Sequence, residues 1–325
     1  MNIVVLDGYA ENPGDLSWDA LGALGHLTVY DRTAGKDIIA RIQDAEAIFI
    51  NKVPITAEII QAATKLKFIC VTATGYNVVD VDAARERKIP VCNIPAYSSA
   101  SVAQMVFAFL LEIASHVSHH SEAVKQGRWI TCPDFCFWDI PLIELEGKTL
   151  GIIGYGTIGK RVAKIAVSLG MKVLASSRTA HPELETEEIH ITDRDTVLQN
   201  ADFITLHCPQ NPESVGLINR NTIAMMKDGV ILINTARGGC VVEQDVADAL
   251  ASEKMAYYAA DVVSSEPMHA DNPLLHAPNT LITPHIAWAT MEARTRLMDI
   301  AVENLRAFMA GTPCNVVNGI GRTDR

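Results

Sequence analysis

Three polar residues of different types follow three late apolar segments of the chain. Arg237 lies in INTARGG (233–239), Glu266 in AADVVSSEP (259–267) and His285 in ITPHIAW (282–288). If each segment is a strand end of a parallel sheet, the three side chains share one edge of that sheet. An arginine can grip a carboxylate at two points, a histidine can exchange a proton, and a carboxylate can stabilise and orient the imidazolium. Singly, each residue type more often belongs to an ordinary loop; together they predict interconversion of a small 2-oxo acid and its 2-hydroxy acid.

A glycine-rich turn predicts where the hydride source would bind. The segment GYGTIG (154–159) follows an apolar strand pattern, opens a helical pattern and is followed by a second strand pattern, which is the full context of a dinucleotide site. Gly154 permits the tight turn, Gly156 lets the backbone approach a pyrophosphate, and Gly159 lets the helix pack against the sheet. Amides at the helix start, such as that of Ile158, would face the phosphate charge.

The end of the second strand indicates which dinucleotide is preferred. A carboxylate there binds the ribose hydroxyls of NAD and repels a 2′-phosphate, but this chain has Ala175, Ser176, Ser177 and Arg178 in that stretch. Serine hydroxyls and an arginine suit a phosphate. NADP(H) is therefore favoured over NAD(H). The alternative is that Arg178 stacks on adenine or lies in solvent, so that both cofactors are used.

The pattern of apolar runs predicts two α/β domains. Short apolar runs alternate with amphipathic stretches before residue 93 and again after residue 148, which is typical of parallel sheets covered on both faces. Residues 98–125 and 288–309 each predict one long helix, and we expect the second to return to the first domain. The predicted fold is two doubly wound parallel-sheet domains linked by two long helices: a discontinuous flavodoxin-like substrate domain (1–98 and 287–325) and a Rossmann NAD(P)-binding domain (99–286).

Composition excludes several other classes of protein. The 325 residues are 49% hydrophobic and 20% charged with a net charge of −11, which fits a globular chain without a nucleic-acid or anionic-membrane partner. The seven cysteines are scattered, and the spacing of Cys132 and Cys136 matches neither a redox pair nor a zinc knuckle, so no metal site is expected. The sequence has no signal-like start and no long apolar span, and we expect a cytoplasmic protein.

Seven segments together resemble the D-isomer-specific 2-hydroxyacid dehydrogenase family over essentially the whole chain. They are VTATGYNVVD (71–80), IPAYSSASVAQ (94–104), GYGTIG (154–159), LHCP (206–209), NTARGG (234–239), DVVSSEP (261–267) and TPHIAW (283–288). The resemblance implies two similar α/β domains, a homodimer formed through the cofactor domain, and Arg237, Glu266 and His285 as the catalytic set. The missing acid at Ser177 departs from the commonest pattern of the family.

The resemblance also implies the neighbours of cofactor and substrate. The cofactor would lie near Gly154, Gly156, Thr157, Ile158, Gly159, Ser176, Ser177, Arg178, His207, Pro209, Thr235, Ala236, Arg237, Asp261, His285 and Ala287. The substrate would lie near Lys52, Ala73, Thr74, Gly75, Trp138, Arg237, His285 and Trp288. Within the second set, the backbone around Ala73–Gly75 would receive the substrate carboxylate.

The segments ATGYNVVD, FCFWD and HIAWAT are most similar to the glyoxylate and hydroxypyruvate reductases of the family, also called glycerate dehydrogenases. Trp138 and Trp288 would leave room for a small substrate; equally, they would serve only to pack a domain or dimer interface. The alternatives are a dehydrogenase acting on D-lactate, phosphoglycerate, formate or phosphite, and a non-catalytic, corepressor-like NAD(P) sensor. Turnover of glyoxylate or hydroxypyruvate separates the enzyme from the sensor.

Overall fold

The chain folds into two compact units. The structure, a computed structural model, describes residues 1–178 and 184–321. The first unit contains Met1–Ser98 and the chain from Ala289 onward, and the second contains Ser99–Trp288. The chain returns to the first unit at 289 rather than at the expected 287.

The first unit is built on a five-stranded parallel sheet. Its strands are β1 (Asn2–Val5), β2 (His26–Val29), β3 (Ala47–Ile50), β4 (Phe68–Val71) and β5 (Val91–Cys92). Their order is β2-β1-β3-β4-β5, with all pairs parallel, which is the flavodoxin-like order. Every residue of β3 and β4 is buried, because wholly apolar strands suit a sheet covered on both faces.

Short helices and one long helix complete the first unit. Numbered in chain order, they are α1 (Asp19–Gly22), α2 (Ile38–Ile42), α3 (Ala57–Ala62), α4 (Val81–Glu86) and α11 (Met291–Met309). The predicted start of the last helix at Trp288 was wrong by three residues. Thr290 lies in extended backbone and its side chain accepts a hydrogen bond from the Ala293 amide, so it caps α11.

The second unit is built on a seven-stranded parallel sheet. Its strands are β6 (Thr149–Ile153), β7 (Lys172–Ser176), β8 (Ile189–Thr192), β9 (Phe203–Leu206), β10 (Val230–Asn234), β11 (Met255–Ala260) and β12 (Thr280–Ile282). The strand order is β12-β11-β10-β9-β6-β7-β8. β7 and β8 are added on one side of β6, and β9 to β12 are added on the other side, as in dinucleotide-binding sheets. The sequence pattern did not predict β8, a half-exposed edge strand that contains only two apolar residues.

The helices of the second unit, apart from the one at Val117–Lys125, pack on the faces of this sheet. In chain order, the helices of this unit are α5 (Ser99–Ser115), α6 (Val117–Lys125), α7 (Thr157–Ser168), α8 (Arg194–Asn200), α9 (Arg220–Met225) and α10 (Glu243–Ala251). The apolar residues of α5 and α7 belong to one buried cluster, and those of α8, α9 and α10 belong to another.

The single long helix predicted over residues 98–125 was wrong. It breaks at His116, whose backbone is left-handed (φ 47°), and α5 and α6 meet at 57°. The Glu112 carboxylate accepts a hydrogen bond from the Ser118 amide in the first turn of α6 (3.2 Å). The buried His116 ring packs against Tyr257 at 5.6 Å between ring centroids. A tertiary contact and a side-chain cap therefore end α5 where the sequence offers neither glycine nor proline.

Across residues 1–178 and 184–321, no individual helix combines the length and the apolar character needed to cross a membrane. Helices α5 and α6 reach the required length and apolar composition only when they are taken together, and the pair is bent. Most of the apolar side chains of α5 are buried in the core of the second unit.

Candidate active site

The three glycines of the turn between β6 and α7 each meet a different steric requirement. Gly154 has φ +103°, and a Cβ there would lie 2.6–2.7 Å from the backbone of His207 and Cys208. A Cβ on Gly159 would lie 2.4 Å from the carbonyl oxygen of Gly154. A Cβ on Gly156 would meet no heavy atom within 4 Å, so the backbone there is open to an approaching ligand. This is the arrangement that a pyrophosphate requires.

A cavity of about 650 Å³ extends from this turn along the carboxyl ends of β6, β7, β8 and β9. Its volume lies within the usual range for small-molecule and cofactor sites. The predicted cofactor neighbours that line it are Gly154, Gly156, Ser176, Ser177, Arg178, His207 and Pro209. Thr157 and Ile158 start α7 directly after Gly156.

Two buried polar atoms at this edge have no hydrogen-bond partner within the described residues. They are Nδ1 of His207, which follows β9, and Oγ1 of Thr235, which follows β10. Burial lowers the pKa of His207 to about 3, so the ring is neutral, and its Nε2 lies 3.1 Å from the Thr205 hydroxyl. Because unsatisfied buried polar atoms are rare, the pair supports a polar ligand here, and the residues present fit a dinucleotide.

The side of the cavity beyond β7 carries hydroxyls and an exposed cation. Ser176 is the last residue of β7, and Ser177 and Arg178 follow it. The Arg178 guanidinium lies 3.6 Å from the Glu213 carboxylate, and both side chains are about three-quarters exposed. An ion pair this exposed contributes little stability, so the arginine is available to a stronger anion.

His285 and Glu266, two of the residues predicted to act together, contact each other. Nδ1 of His285 lies 2.6 Å from Oε2 of Glu266, and the side chains are 28% and 33% exposed. The pair is thus open to solvent or substrate. Glu266 is also held in place, because its Oε1 accepts a hydrogen bond from the Val263 amide (3.3 Å).

The loop that carries His285 is fixed by Asp261, at the end of β11. The buried Asp261 carboxylate accepts hydrogen bonds from the Thr283 hydroxyl (2.6 Å) and from the amides of Ile286 (2.8 Å) and Ala287 (2.7 Å). This holds His285 in left-handed backbone (φ 55°). The predicted cofactor neighbours Asp261 and Ala287 therefore contact each other directly.

Arg237 projects from the loop that follows β10. Its side chain is exposed, and its Nη1 donates to the carbonyl oxygen of Ala236 (2.7 Å). A Cβ on the next residue, Gly238, would lie 1.9 Å from the carbonyl carbon of Val263. The arginine loop therefore touches the loop that carries Glu266. Only glycine allows this approach, which brings two of the three predicted segments together.

The predicted substrate residues of the first unit form a group of their own. Lys52 follows β3 and is exposed, whereas Ala73, Thr74 and Gly75 follow β4. The Thr74 hydroxyl donates to the carbonyl oxygen of Ile94 (2.9 Å), and the Ile94 amide donates to that of Ala73 (3.0 Å). These two hydrogen bonds to Ile94 fix the loop after β4.

The two tryptophans differ in their surroundings. Trp138 is 64% exposed, in a segment with exposed Trp129, Ile130, Phe135 and Leu142. Trp288 is half-buried at the end of the second unit.

Sequence reasoning missed Glu243, which begins α10. Its carboxylate accepts hydrogen bonds from the amide and the hydroxyl of Ser264 (both 2.7 Å) and from the side-chain amide of Asn272 (2.9 Å). The loop between β11 and β12 is thereby tied to α10. The available signal was an acid in the first turn of a helix beside a strand end, which is too common to single out a residue.

Comparison with known proteins agrees with this geometry. Residues 107–287 match the model of the D-isomer specific 2-hydroxyacid dehydrogenase NAD binding domain. The chain is 54% identical to the hydroxypyruvate reductase of Blautia hydrogenotrophica over 321 residues, 98% of this chain and 100% of that one. It is 40% identical to the glycerate dehydrogenase of Methylorubrum extorquens over 284 residues, 87% of this chain and 88% of that one.

A solved structure of D-lactate dehydrogenase from Aquifex aeolicus with NAD and lactic acid matches with a TM-score of 0.83. The two sequences are 30% identical, and the match covers 96% of each chain. More than half of this chain matches the family model, and the similarity to curated relatives spans nearly its full length. The chain therefore belongs to the D-isomer-specific 2-hydroxyacid dehydrogenases, which are NAD(P)-dependent oxidoreductases acting on CH–OH groups.

Proposed function

We propose that this protein is a hydroxypyruvate and glyoxylate reductase, or glycerate dehydrogenase, that prefers NADPH to NADH. The observation that carries the proposal is the 2.6 Å contact between His285 Nδ1 and Glu266 Oε2, in the unit that also contains the glycine-rich turn between β6 and α7. The names of the relatives from Blautia hydrogenotrophica and Methylorubrum extorquens support the choice of substrate.

The proposed roles follow from the chemistry of the side chains. The bound cofactor supplies the hydride. His285 donates a proton to the developing alkoxide from Nε2, since Nδ1 is engaged with Glu266, and takes the proton back in the oxidative direction. Glu266 stabilises the imidazolium and fixes the ring. Arg237 binds the substrate carboxylate or bridges it to the carbonyl oxygen.

We also propose substrate-binding residues within the first unit. The backbone of Ala73, Thr74 and Gly75 receives the carboxylate, with Lys52 as a nearby cation. Trp138 and Trp288, which belong to the second unit, are proposed to leave room only for small substrates. A homodimer and a cytoplasmic location remain predictions from the sequence.

The preference for NADPH rests on the residues beyond β7. Ser176, Ser177 and Arg178 line the cavity where a carboxylate would select NAD. Three acids, Asp193, Asp195 and Glu213, also line this cavity. Glu213 pairs with Arg178, and none of the three takes the position of Ser177 at the end of β7.

The test is a panel of 2-oxo acids (hydroxypyruvate, glyoxylate, pyruvate and phosphohydroxypyruvate), each assayed with NADPH and with NADH. We expect the highest kcat/KM with hydroxypyruvate or glyoxylate and NADPH. A preference for pyruvate or phosphohydroxypyruvate would replace the proposed substrate. Nucleotide binding without turnover of any acid would indicate a sensor instead of an enzyme.

A further inference from the structure

A buried carboxyl group joins the strand ends of the first unit, and the proposed reaction does not use it. Glu11 lies on the loop after β1 and is fully buried. Its Oε1 accepts hydrogen bonds from Nδ2 of Asn51 (2.9 Å) and from the hydroxyl of Thr72. Asn51 directly follows β3 and Thr72 directly follows β4. Glu11 therefore connects the loop after β1 to the ends of β3 and β4.

The second oxygen of this carboxyl group is unsatisfied. Oε2 of Glu11 is buried and has no hydrogen-bond partner in the described part of the chain. Burying an unpaired carboxylate is costly, and burial raises the pKa of Glu11 to about 7. Below pH 7 the group is thus mostly protonated, and its ionisation above that pH adds a negative charge inside the unit.

The partners of Glu11 immediately precede the proposed substrate residues. Asn51 is followed by Lys52, and Thr72 is followed by Ala73. A second acid fixes the same turn, because the carboxylate of Asp7 accepts hydrogen bonds from the amides of Asn51, Lys52 and Val53 (2.8, 2.7 and 3.1 Å). Asn51 Nδ2 also donates to the carbonyl oxygen of Thr72 (3.1 Å), which ties the two turns together.

We propose that Glu11 is a positioning residue for the substrate carboxylate. By holding Asn51 and Thr72 together, it sets the spacing between the Lys52 turn and the Ala73–Gly75 loop. The inference rests on the proposed function, in which those two segments receive the carboxylate. Glu11 itself does not contact substrate in this proposal.

The charged groups around Glu11 determine the effect of pH. Asp7 opposes ionisation of Glu11. Arg294, a cation on α11, donates to the backbone carbonyl of Glu11 (3.1 Å), but its charge is paired with Asp15 through contacts of 2.7 and 2.6 Å. Cys70, on β4, also faces Glu11, and burial raises its pKa well above the usual value. Deprotonation of Glu11 therefore leaves a net negative charge behind the loops that are to bind an anion.

The experiment compares the wild type with Glu11→Gln, Glu11→Ala and the control Asp44→Asn between pH 6 and 9. Asp44 is an exposed residue of the same unit that pairs with Lys65. The readouts are KM for hydroxypyruvate, the Kd of NADPH, the Tm, and calorimetric binding of oxamate to the enzyme with NADPH. Oxamate binding reports on the anion site without turnover.

The glutamine variant keeps the shape and the neutrality of protonated Glu11. We expect the variant and the wild type to have the same KM at pH 6.5. Between pH 6.5 and pH 8.5, the KM of the wild type should rise by about tenfold more than that of the variant, equivalent to ~1.4 kcal/mol. Oxamate affinity should follow the same pattern, and the Kd of NADPH should not. Glu11→Ala should raise KM by about tenfold at every pH, the cost of about one lost buried hydrogen bond.

Parallel pH profiles for the wild type and Glu11→Gln would overturn the proposal, even if Glu11→Ala failed to fold. Equal losses of substrate and NADPH affinity in both variants would show a purely structural role and would also overturn it. Absence of turnover with any 2-oxo acid in the wild type would refute the proposed function instead.

Discussion

At the scale of single residues, the proposed proton donor lies in an unfavourable backbone conformation. A non-glycine residue in left-handed backbone costs about 1–3 kcal/mol, and His285 is held there at φ 55°. The three hydrogen bonds that Asp261 accepts from the same loop offset this cost. The backbone conformation aims the ring, and Glu266 fixes its rotation, so the imidazole is oriented before any substrate arrives.

The first prediction concerns this pair. His285→Ala should abolish reduction, and Glu266→Gln should reduce kcat by about 100-fold, because the imidazolium loses the carboxylate that stabilises it. Since the two residues act as a unit, the double variant should be no slower than His285→Ala alone. Stopped-flow experiments measure the rate of reduction, and fluorescence titration measures the binding of NADPH. The exposed Glu253→Gln is the matched control. Additive losses would mean that the two side chains act separately.

The sequence indicated candidate residues through their side-chain type, and it did not indicate residues whose proposed role depends on burial or on contacts between loops. His285 and Glu266 stand out because few side chains perform acid–base chemistry, and their strands run to one edge. Glu11 and Glu243 do not stand out, because nothing local shows that a carboxyl group will be buried or will tie one loop to another. Such roles arise from contacts between distant segments, such as the 61-residue separation of Glu11 and Thr72.

At the scale of elements, the proposed preference for NADPH depends on the residues at the end of β7. We predict that Ser177→Asp combined with Arg178→Ala lowers the ratio of kcat/KM for NADPH over NADH by about 100-fold, or ~3 kcal/mol. The introduced carboxylate binds ribose hydroxyls and repels the 2′-phosphate, while the lost guanidinium no longer attracts it.

Steady-state kinetics with both nucleotides provide the measurement for this double variant. Lys172→Ala, at the exposed amino end of the same strand, removes a cation far from the cavity and should leave the ratio unchanged. If the double variant also left it unchanged, the explanation of NADPH preference from these residues would be wrong.

The elements themselves were predictable to different degrees. β3, β4, β6 and β10 begin and end where the sequence pattern placed them, because their continuous apolar runs stop at polar or glycine residues. The break at His116 was missed because periodicity continues through it, and its cause is a ring packed against Tyr257. β8 was missed because an edge strand needs few apolar residues.

At the scale of the whole molecule, the segment 129–142 shows a surface that a single chain leaves exposed. Ile130 and Phe135 are 86% and 88% exposed. The segment is nevertheless well fixed: Asp139 pairs with Arg128 and with His119, and these partners lower its pKa to about 2. A fixed, strongly apolar surface is typical of an interaction site.

We predict that the chain forms the homodimer expected from the sequence and that this surface lies in its interface. Ile130→Ser combined with Phe135→Ser should convert the dimer to a monomer in size-exclusion chromatography with light scattering, because burying such side chains contributes about 2 kcal/mol each. The control Ile39→Ser replaces an exposed residue on α2 of the other unit. A double variant that remained dimeric would place the interface elsewhere.

The unsatisfied atoms of His207 and Thr235 have a consequence for the protein in a living cell. Each leaves a deficit of about 1–3 kcal/mol that a bound nucleotide can fill, in addition to the stabilisation that any tight ligand gives by mass action. A chain deprived of nucleotide would open more often to proteases, so its half-life, and with it the amount of enzyme, would follow the size of the nucleotide pool.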